Sequence, residues 1–597
     1  MKRHLLSATI ASILYTPAYA EQLDPIVVTA NNLEQPISSV TSPTYVITRE
    51  EIDTRGWETL TDALTSLPSV SFNRAGGPGT LTTVRMRGQD GKGILFMIDG
   101  QMVADPGGTT LSPTIENLSL DQVERIEVVL GPQSGIWGSN ASAGVINIIT
   151  RQAGHQTLLV EGGSENTRRI SATASKKTER YSLLASLSSV NTEGYTAVKK
   201  YGSAGKHNEK DGFRQDDVLF KASVSPRKGH ALGVSLQHTT ANAEFDDSNN
   251  PEQTATHNER DLLNKRAWYA FQHGGLNLKL SVSEYTIERT SYSSWGPYSS
   301  HGNLTRWSGL AGYTYTPHST LQLTAGNERL QGNKDAYWHD YAGITHVHTL
   351  GRLQLTEALR TDHFDKFKDA TTGKLGFKLP FETFSLQGNY GTSYNAPTPF
   401  QVSYGATQNL KPEAGKGWDL GISAFGATLT YYDQSIEDAI IYAGTWPNDY
   451  YTNAKGKNRF SGWEFSYSGG WGDWDVGLNY AWLDARDKND TFLARVPHDK
   501  GTLTLDYYGF SKWHLGTEVQ HMGDYHDTDG SSGKNLGNYT LVNVKADYAL
   551  NRHFSLYAKA INLFDVDYYT AADQQTPPQY GYNTGGFQWR VGLRGKF

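Results

Sequence analysis

The chain of 597 residues contains no cysteine, so no disulfide holds it together. No window past the first twenty residues reaches the run of about 18 apolar residues that a membrane helix requires. Charge is sparse: Asp, Glu, Lys and Arg make up 19% of the chain, and the net charge of -7 gives no support to nucleic-acid binding. There is no GxSxG elbow, no HExxH pair and no GxxxxGK[ST] phosphate loop, and no enzymatic activity is expected. What is abundant is aromatic: 34 Tyr and 14 Trp sit in a chain with 61 Gly and a mean hydropathy of -0.53. A polar, Gly-rich, Tyr- and Trp-rich chain suits a transmembrane β-barrel, whose lumen face is polar and whose lipid face carries aromatic girdles.

Residues 1–20 carry Lys2 and Arg3, a short apolar run, and Ala18-Tyr19-Ala20, the pattern of a secretory signal peptide. The mature chain is expected to begin near Glu21. Residues 35–153 then read as a compact α+β domain. Leu60, Leu64 and Leu67 recur at helical spacing and stop at Pro68, while 93–100, 123–131 and 144–151 read as strands.

From 154 to 597 the pattern changes to strands and turns. Trp474, Val476, Leu478, Tyr480 and Trp482 alternate with Asp475, Gly477, Asn479 and Ala481. Near the C-terminus Phe587, Trp589, Val591, Leu593 and Phe597 share one face, and Gln588, Arg590, Arg594 and Lys596 the other. A period of two gives each strand one apolar and one polar face. Lipid offers no hydrogen bonds to a free sheet edge, so a sheet facing it must close. At about 20 residues per strand and loop, this length predicts about 22 antiparallel strands, the size class of plugged transporters. The expected architecture is an all-β transmembrane barrel plugged by the N-terminal α+β domain.

Specific strings sharpen this reading. TLTTVRMRG (80–88), LFMIDG (95–100) and the stretch from Val123 to Thr150 resemble the plug of TonB-dependent outer-membrane receptors. INLFDVDYYT (561–570) resembles the penultimate-strand motif of these barrels, and GTSYNAPTPFQ (391–401) with NLKPE (409–413) their receptor motif. Two departures stand out: Leu130 precedes Gly131-Pro132 where many plugs have Arg, and Ala143-Gly144 replaces Gly-Gly. DPIVVTA resembles the TonB box, comprising Asp24, Pro25, Ile26, Val27, Val28, Thr29 and Ala30 within a flexible segment 21–34. The resemblance implies a monomeric receptor in outer-membrane lipid, powered through TonB by the inner-membrane proton gradient. Ile26, Val27 and Val28 would add as a strand to a TonB sheet edge.

Within this family, 24–40, 76–88, 191–213 and 580–586 resemble the receptors for cobalamin (vitamin B12). That resemblance implies cobalamin or a related corrinoid as cargo, and ligand contacts at Leu81, Thr83, Asp90, Gly108 and Thr109. It also implies calcium ordering the outer loops through Glu209, Asp211, Asp246 and Asp247, with Glu259 as a further carboxylate. Thr196 stands where the pattern would offer an Asp, which removes one carboxylate. The alternative cargo is a ferric siderophore or other metal chelate. Haem is disfavoured, because Ser393 to Glu413 holds no His.

Overall fold

The structure, a computed structural model, describes residues 26–27, 30–200, 209–246, 256–404, 410–445, 447–530, 535–573 and 580–597. From Thr157 on, each wall strand pairs antiparallel with the next. The last, Gln588–Lys596, pairs with both Phe554–Ile561 and the first, Thr157–Gly163. This closes a barrel of 22 strands. Closure satisfies every strand edge, the condition that lipid imposes.

The barrel is apolar outside and polar within. On the last strand Trp589 and Val591 are 46% and 50% exposed while Arg590, between them, is 7% exposed. Trp474, Tyr480 and Trp482 face outward and Ala481 inward, as the alternation predicts. One rim has tight turns, such as 228–229, 274–275 and 351–352. The chain segment entering the plug lies on that side, which makes it the periplasmic rim. The opposite rim carries the long loops.

Inside sits the plug. Its sheet runs, in spatial order, Thr44–Thr48, Val123–Leu130, Gly144–Thr150, Ile94–Ile98 and Gln101–Met102, all antiparallel except the central pair Ile94–Ile98 and Gly144–Thr150. Asp99 and Gly100, both at positive φ, make the two-residue turn between the last two strands. Gly144 is the glycine that the two-residue departure retains. It sits at φ +154, and a Cβ there would lie 2.2 Å from the Val129 carbonyl oxygen, whereas Ala143 is accommodated fully buried. Leu130, in place of Arg, is likewise fully buried.

The helical stretch near 50–70 divides in two. Thr48 caps Arg49–Arg55, accepting from the Glu51 amide at 3.1 Å, and Gly56 ends it at φ +69. Leu60–Thr65 begins at a capping box of Thr59 and Asp62. Leu60 and Leu64 point into the core, and Leu67 lies just beyond the helix.

Polar locks hold plug to wall. Arg87, fully buried, donates from Nε and Nη2 to Glu464 at 2.9 and 2.7 Å, with its guanidinium carbon 4.2 Å from the Tyr432 ring centre. Arg169 of the wall grips Asp121 at 2.8 and 2.6 Å. Lys500 donates to the carbonyls of Thr65 and Leu67 at 2.7 and 2.9 Å, and also to that of Val70. Lys500 thereby caps the end of the helix Leu60–Thr65, which has no glycine of its own to close it.

Candidate functional site

Three plug loops reach the long-loop rim. In 75–81, Gly76 lies at φ +115 with its missing Cβ 2.5 Å from the Cβ of Ala197, and Gly79 lies at φ +74 with Phe213 ring atoms 2.3 Å from its missing Cβ. These glycines let the loop pass close under the barrel wall. Leu81, at the loop's end, is 65% exposed, an apolar side chain presented outward.

The other predicted contacts also lie on these apices or beside them. Thr83 is half-buried on the strand Thr82–Met86, paired with Asn73. Asp90 accepts the Lys92 amide at 3.1 Å and fixes the turn 91–93. The loop 105–111 is folded around Asp105, whose side chain accepts the Gly107 amide at 3.1 Å and whose carbonyl accepts the Gly108 amide at 3.1 Å. The carbonyl of Thr109 accepts Gln401 Nε2 from the outer loops at 2.9 Å.

Sequence reasoning missed an aromatic wall above these apices. The helix Pro399–Ser403 carries Phe400, whose ring lies 5.3 Å from Tyr404 and 6.2 Å from Tyr451. Tyr442, on the loop hairpin Ile440–Ala443 with Tyr450–Asn453, lies 5.6 Å from Tyr451. Asp449 accepts the Tyr404 hydroxyl at 2.5 Å and also the Tyr442 hydroxyl, and these bonds hold its carboxylate below the usual range. The density of Tyr between 442 and 451 was the available signal. Nothing in it shows that these residues meet 400–404.

Four basic groups around the bowl of plug apices and aromatic wall already meet carboxylates. Lys92 meets Glu413 at 3.5 Å, Arg289 meets Asp105 at 2.9 Å, Arg260 meets Glu116 at 3.2 Å and Arg495 meets Asp527 at 2.6 Å. Arg85 instead donates to the neutral Asn73 side chain at 3.4 Å.

Beside the bowl, carboxylate oxygens of Glu209, Asp211 and Asp246 all lie within 4.8 Å of one another. Burial, with Asp211 and Asp246 adjacent, pushes the Glu209 carboxyl up to about 8. Asp211 accepts the Ala197 amide at 2.5 Å, and Asp246 accepts the Val198 amide at 2.7 Å and the Thr196 hydroxyl at 3.3 Å. Thr196 therefore still reaches the cluster, as a hydroxyl. Asp247 lies outside the described residues. Glu259 stands apart, on the wall strand His257–His273 beside His257 at 3.7 Å.

Of the segment resembling the TonB box, Asp24, Pro25, Val28 and Thr29 lie outside the described residues. Ile26 and Val27 pair antiparallel with Pro36 and Gln35. Ala30 is fully buried with Val40 and Val129, and Asn31 is buried beside it. The segment 21–34, expected to be flexible, is thus docked at Ala30 and Asn31, because its apolar end finds a pocket under the plug sheet. Near it a cavity of about 1700 Å³ opens between plug and wall, lined in part by Asn32, Gln35, Asp99, Lys221, Arg266 and Lys279.

Comparison with known proteins fits this architecture. The family described as "TonB dependent receptor-like, beta-barrel" matches residues 160–563 and the "TonB-dependent Receptor Plug Domain" matches residues 36–145. The chain belongs to the TonB-dependent receptor family. It is therefore an outer-membrane protein of a receptor and transport family. Among curated relatives it is 28% identical to the vitamin B12 transporter BtuB of Photobacterium profundum, over 95% of this chain and 96% of that protein. It is also 28% identical to BtuB of Vibrio vulnificus, over 96% of each. Among solved structures, a mutant of the ferric enterobactin receptor PfeA of Pseudomonas aeruginosa superposes with a TM-score of 0.82 at 18% identity, covering 96% of this chain and 100% of that one. The siderophore receptor PirA of Acinetobacter baumannii gives 0.81 at 16% identity, with the same coverage. At such identities these two show the fold alone.

Proposed function

We propose that this receptor imports cobalamin or a related corrinoid across the outer membrane, by binding and not by chemistry, with energy supplied through TonB. The observation that carries the choice of cargo is the charge state of the bowl. Lys92, Arg260, Arg289 and Arg495 each meet a carboxylate, so little free positive charge remains for a strongly anionic ferric chelate. Burying an anion without a partner costs several kcal/mol. The exposed Leu81 and Thr109 and the rings of Phe400, Tyr404, Tyr442 and Tyr451 suit a large ligand fringed with neutral amides. The full-length similarity to two vitamin B12 transporters supports the same reading.

Calcium fits the cluster beside the bowl. Hard cations take oxygen ligands, and Glu209, Asp211 and Asp246 offer carboxylates with the Thr196 hydroxyl nearby. These residues hold the backbone of Ala197, which covers Gly76 of the plug apex. A bound ion would supply the positive charge that the cluster lacks and fix the loop over the plug, lowering the ordering cost of ligand binding.

The paired Ile26–Val27 strand and the docked Ala30 give the TonB step a starting point. Ligand occupancy that loosens this docking exposes the strand to TonB, and linkage requires that TonB engagement in turn favour the ligand-bound state. The deciding experiment titrates the detergent-purified protein with cyanocobalamin, following Trp fluorescence, in calcium and in chelator. Saturable binding strengthened by calcium is expected. Absence of binding, together with binding of a ferric catecholate, overturns the corrinoid reading.

A further inference from the structure

On the outer wall, at the periplasmic rim, two histidines and a glutamate converge. His346 and His348 lie two residues apart on the strand Ala336–Leu350, so their side chains leave the same face. The inward face of that strand carries Tyr341 and Thr345, both buried, so the histidines face out. Glu357, on Leu353–Phe364, stands directly opposite His346 in the antiparallel register. The two-residue turn 351–352 that joins these strands belongs to the periplasmic rim.

The spacing is that of a coordination sphere. His346 Nδ1 lies 3.2 Å from Glu357 Oε2, and His348 Nδ1 lies 3.9 Å from the same oxygen. Ligand atoms around a tetrahedral zinc sit about 3.3 Å apart, given bonds of about 2.0 to 2.1 Å. The two imidazoles stack with ring centres 4.2 Å apart, which keeps their Nδ1 atoms close, and the rings turn out of the stack for both lone pairs to meet one ion. His348 Nδ1 is buried and makes no hydrogen bond. The far nitrogen of His346, Nε2, lies 2.8 Å from the Tyr315 hydroxyl. Without metal, Nδ1 donates to Glu357 Oε2 at 3.2 Å and Nε2 accepts from Tyr315; on metal binding Nε2 takes the proton and donates it to Tyr315, which frees the Nδ1 lone pair for the ion. That is the outer-shell arrangement by which proteins fix a ligating imidazole.

We propose that His346, His348 and Glu357 bind one divalent transition cation of the zinc class, with Tyr315 as the positioning residue for His346. Two nitrogens and one carboxylate select against calcium and magnesium, which prefer all-oxygen shells. Three protein ligands leave one position of a tetrahedral shell open. Bound metal ties Ala336–Leu350 to Leu353–Phe364 where the barrel meets the periplasm.

The test uses the full-length, untagged receptor in detergent, stripped with chelator and kept in saturating calcium so that the carboxylate cluster by the bowl is not free to take zinc. Zinc chloride is titrated calorimetrically, and cobalt(II) replaces zinc for visible absorption. One zinc per chain and the intense absorption bands of tetrahedral cobalt are expected. His346→Ala and His348→Ala should each weaken binding more than tenfold, and Tyr315→Phe about tenfold, as outer-shell changes do. Heat-modifiable migration on gels verifies that each variant is folded, and Glu357→Gln gives a variant of nearly unchanged shape. No zinc uptake by the wild-type protein overturns the proposal. So does equal uptake by a folded His346→Ala/His348→Ala double variant.

Discussion

Replacing Glu464 with Gln should loosen the plug inside an intact barrel. Arg87 is fully buried and Glu464 is 1% exposed, so loss of the carboxylate charge leaves a guanidinium that water cannot reach. Asp419 remains, but at 3.7 Å from Arg87 Nη1 it is too far for a close pair, and it is already bonded by Asn389 at 2.9 Å. Breaking a buried ion pair by removing one partner costs about 3 to 5 kcal/mol. The residual Asp419 attraction and the Tyr432 ring place this case at the low end, about 3 kcal/mol. With a urea dependence of about 2 kcal/mol per molar for a domain of this size, the unfolding midpoint of the plug should fall by about 1.5 M. The absence of native cysteine supplies the assay. Ala63, fully buried in the plug core, is changed to Cys, and its labelling by a thiol reagent is followed against urea while gel migration reports the barrel. The double change Arg87→Met with Glu464→Leu should recover part of the loss, because it removes the stranded guanidinium while buried Asp419 keeps only its bond from Asn389. A Glu464→Gln midpoint equal to that of the parent would refute the claim that this pair latches the plug.

Three further outcomes are expected. Val27→Pro removes a strand donor, so uptake of radiolabelled cobalamin by cells should be lost while cyanocobalamin still binds the purified protein; unimpaired uptake would sink the strand-addition step. The Glu209 carboxyl sits at about 8, above its usual value, so without calcium the cluster is most favourable at low pH and its contribution is lost as pH rises toward 8. The protection factors of amides 196–198, with the intrinsic rise of exchange with pH divided out, should therefore fall between pH 6 and 9 in chelator and hold in calcium, and unchanged protection factors in chelator would contradict this. Tyr451→Ala removes the central ring of the aromatic wall and should weaken corrinoid binding about tenfold, measured by Trp fluorescence titration.

Much of the architecture was legible because membrane physics leaves a simple imprint. Alternation in residues such as Trp474 to Trp482 and Phe587 to Phe597 reports a wall between lipid and a polar interior, and the strand count followed from length. The plug strands showed themselves as apolar runs bounded by turns, as at Asp99-Gly100. Contacts between distant loops were not legible. Phe400 and Tyr451 are 51 positions apart in the sequence, and no local pattern shows that they meet. The acidic loops were recognisable as calcium candidates, but only folding places Glu209, Asp211 and Asp246 together. Gly76 and Gly79 announced tight backbone without saying that the neighbour was the barrel itself. The apolar N-terminal strand read as a free handle because its partners, Pro36 and Gln35, carry no strand signal.

The position of Lys500 has a consequence for biogenesis. Its ammonium closes a plug helix made some 435 residues earlier in the chain. Until that lysine arrives, the carbonyls of Thr65 and Leu67 lack this partner, and each buried orphan costs about 1 to 3 kcal/mol. The same holds at Gly56, whose carbonyl accepts Lys559 at 2.6 Å, and at Asp121, which waits for Arg169. The first domain to be synthesised is therefore among the last to be completed. It matures only when the C-terminal third of the wall has been inserted, so a newly exported chain must carry an unfinished stopper to the membrane and set it as the cylinder closes.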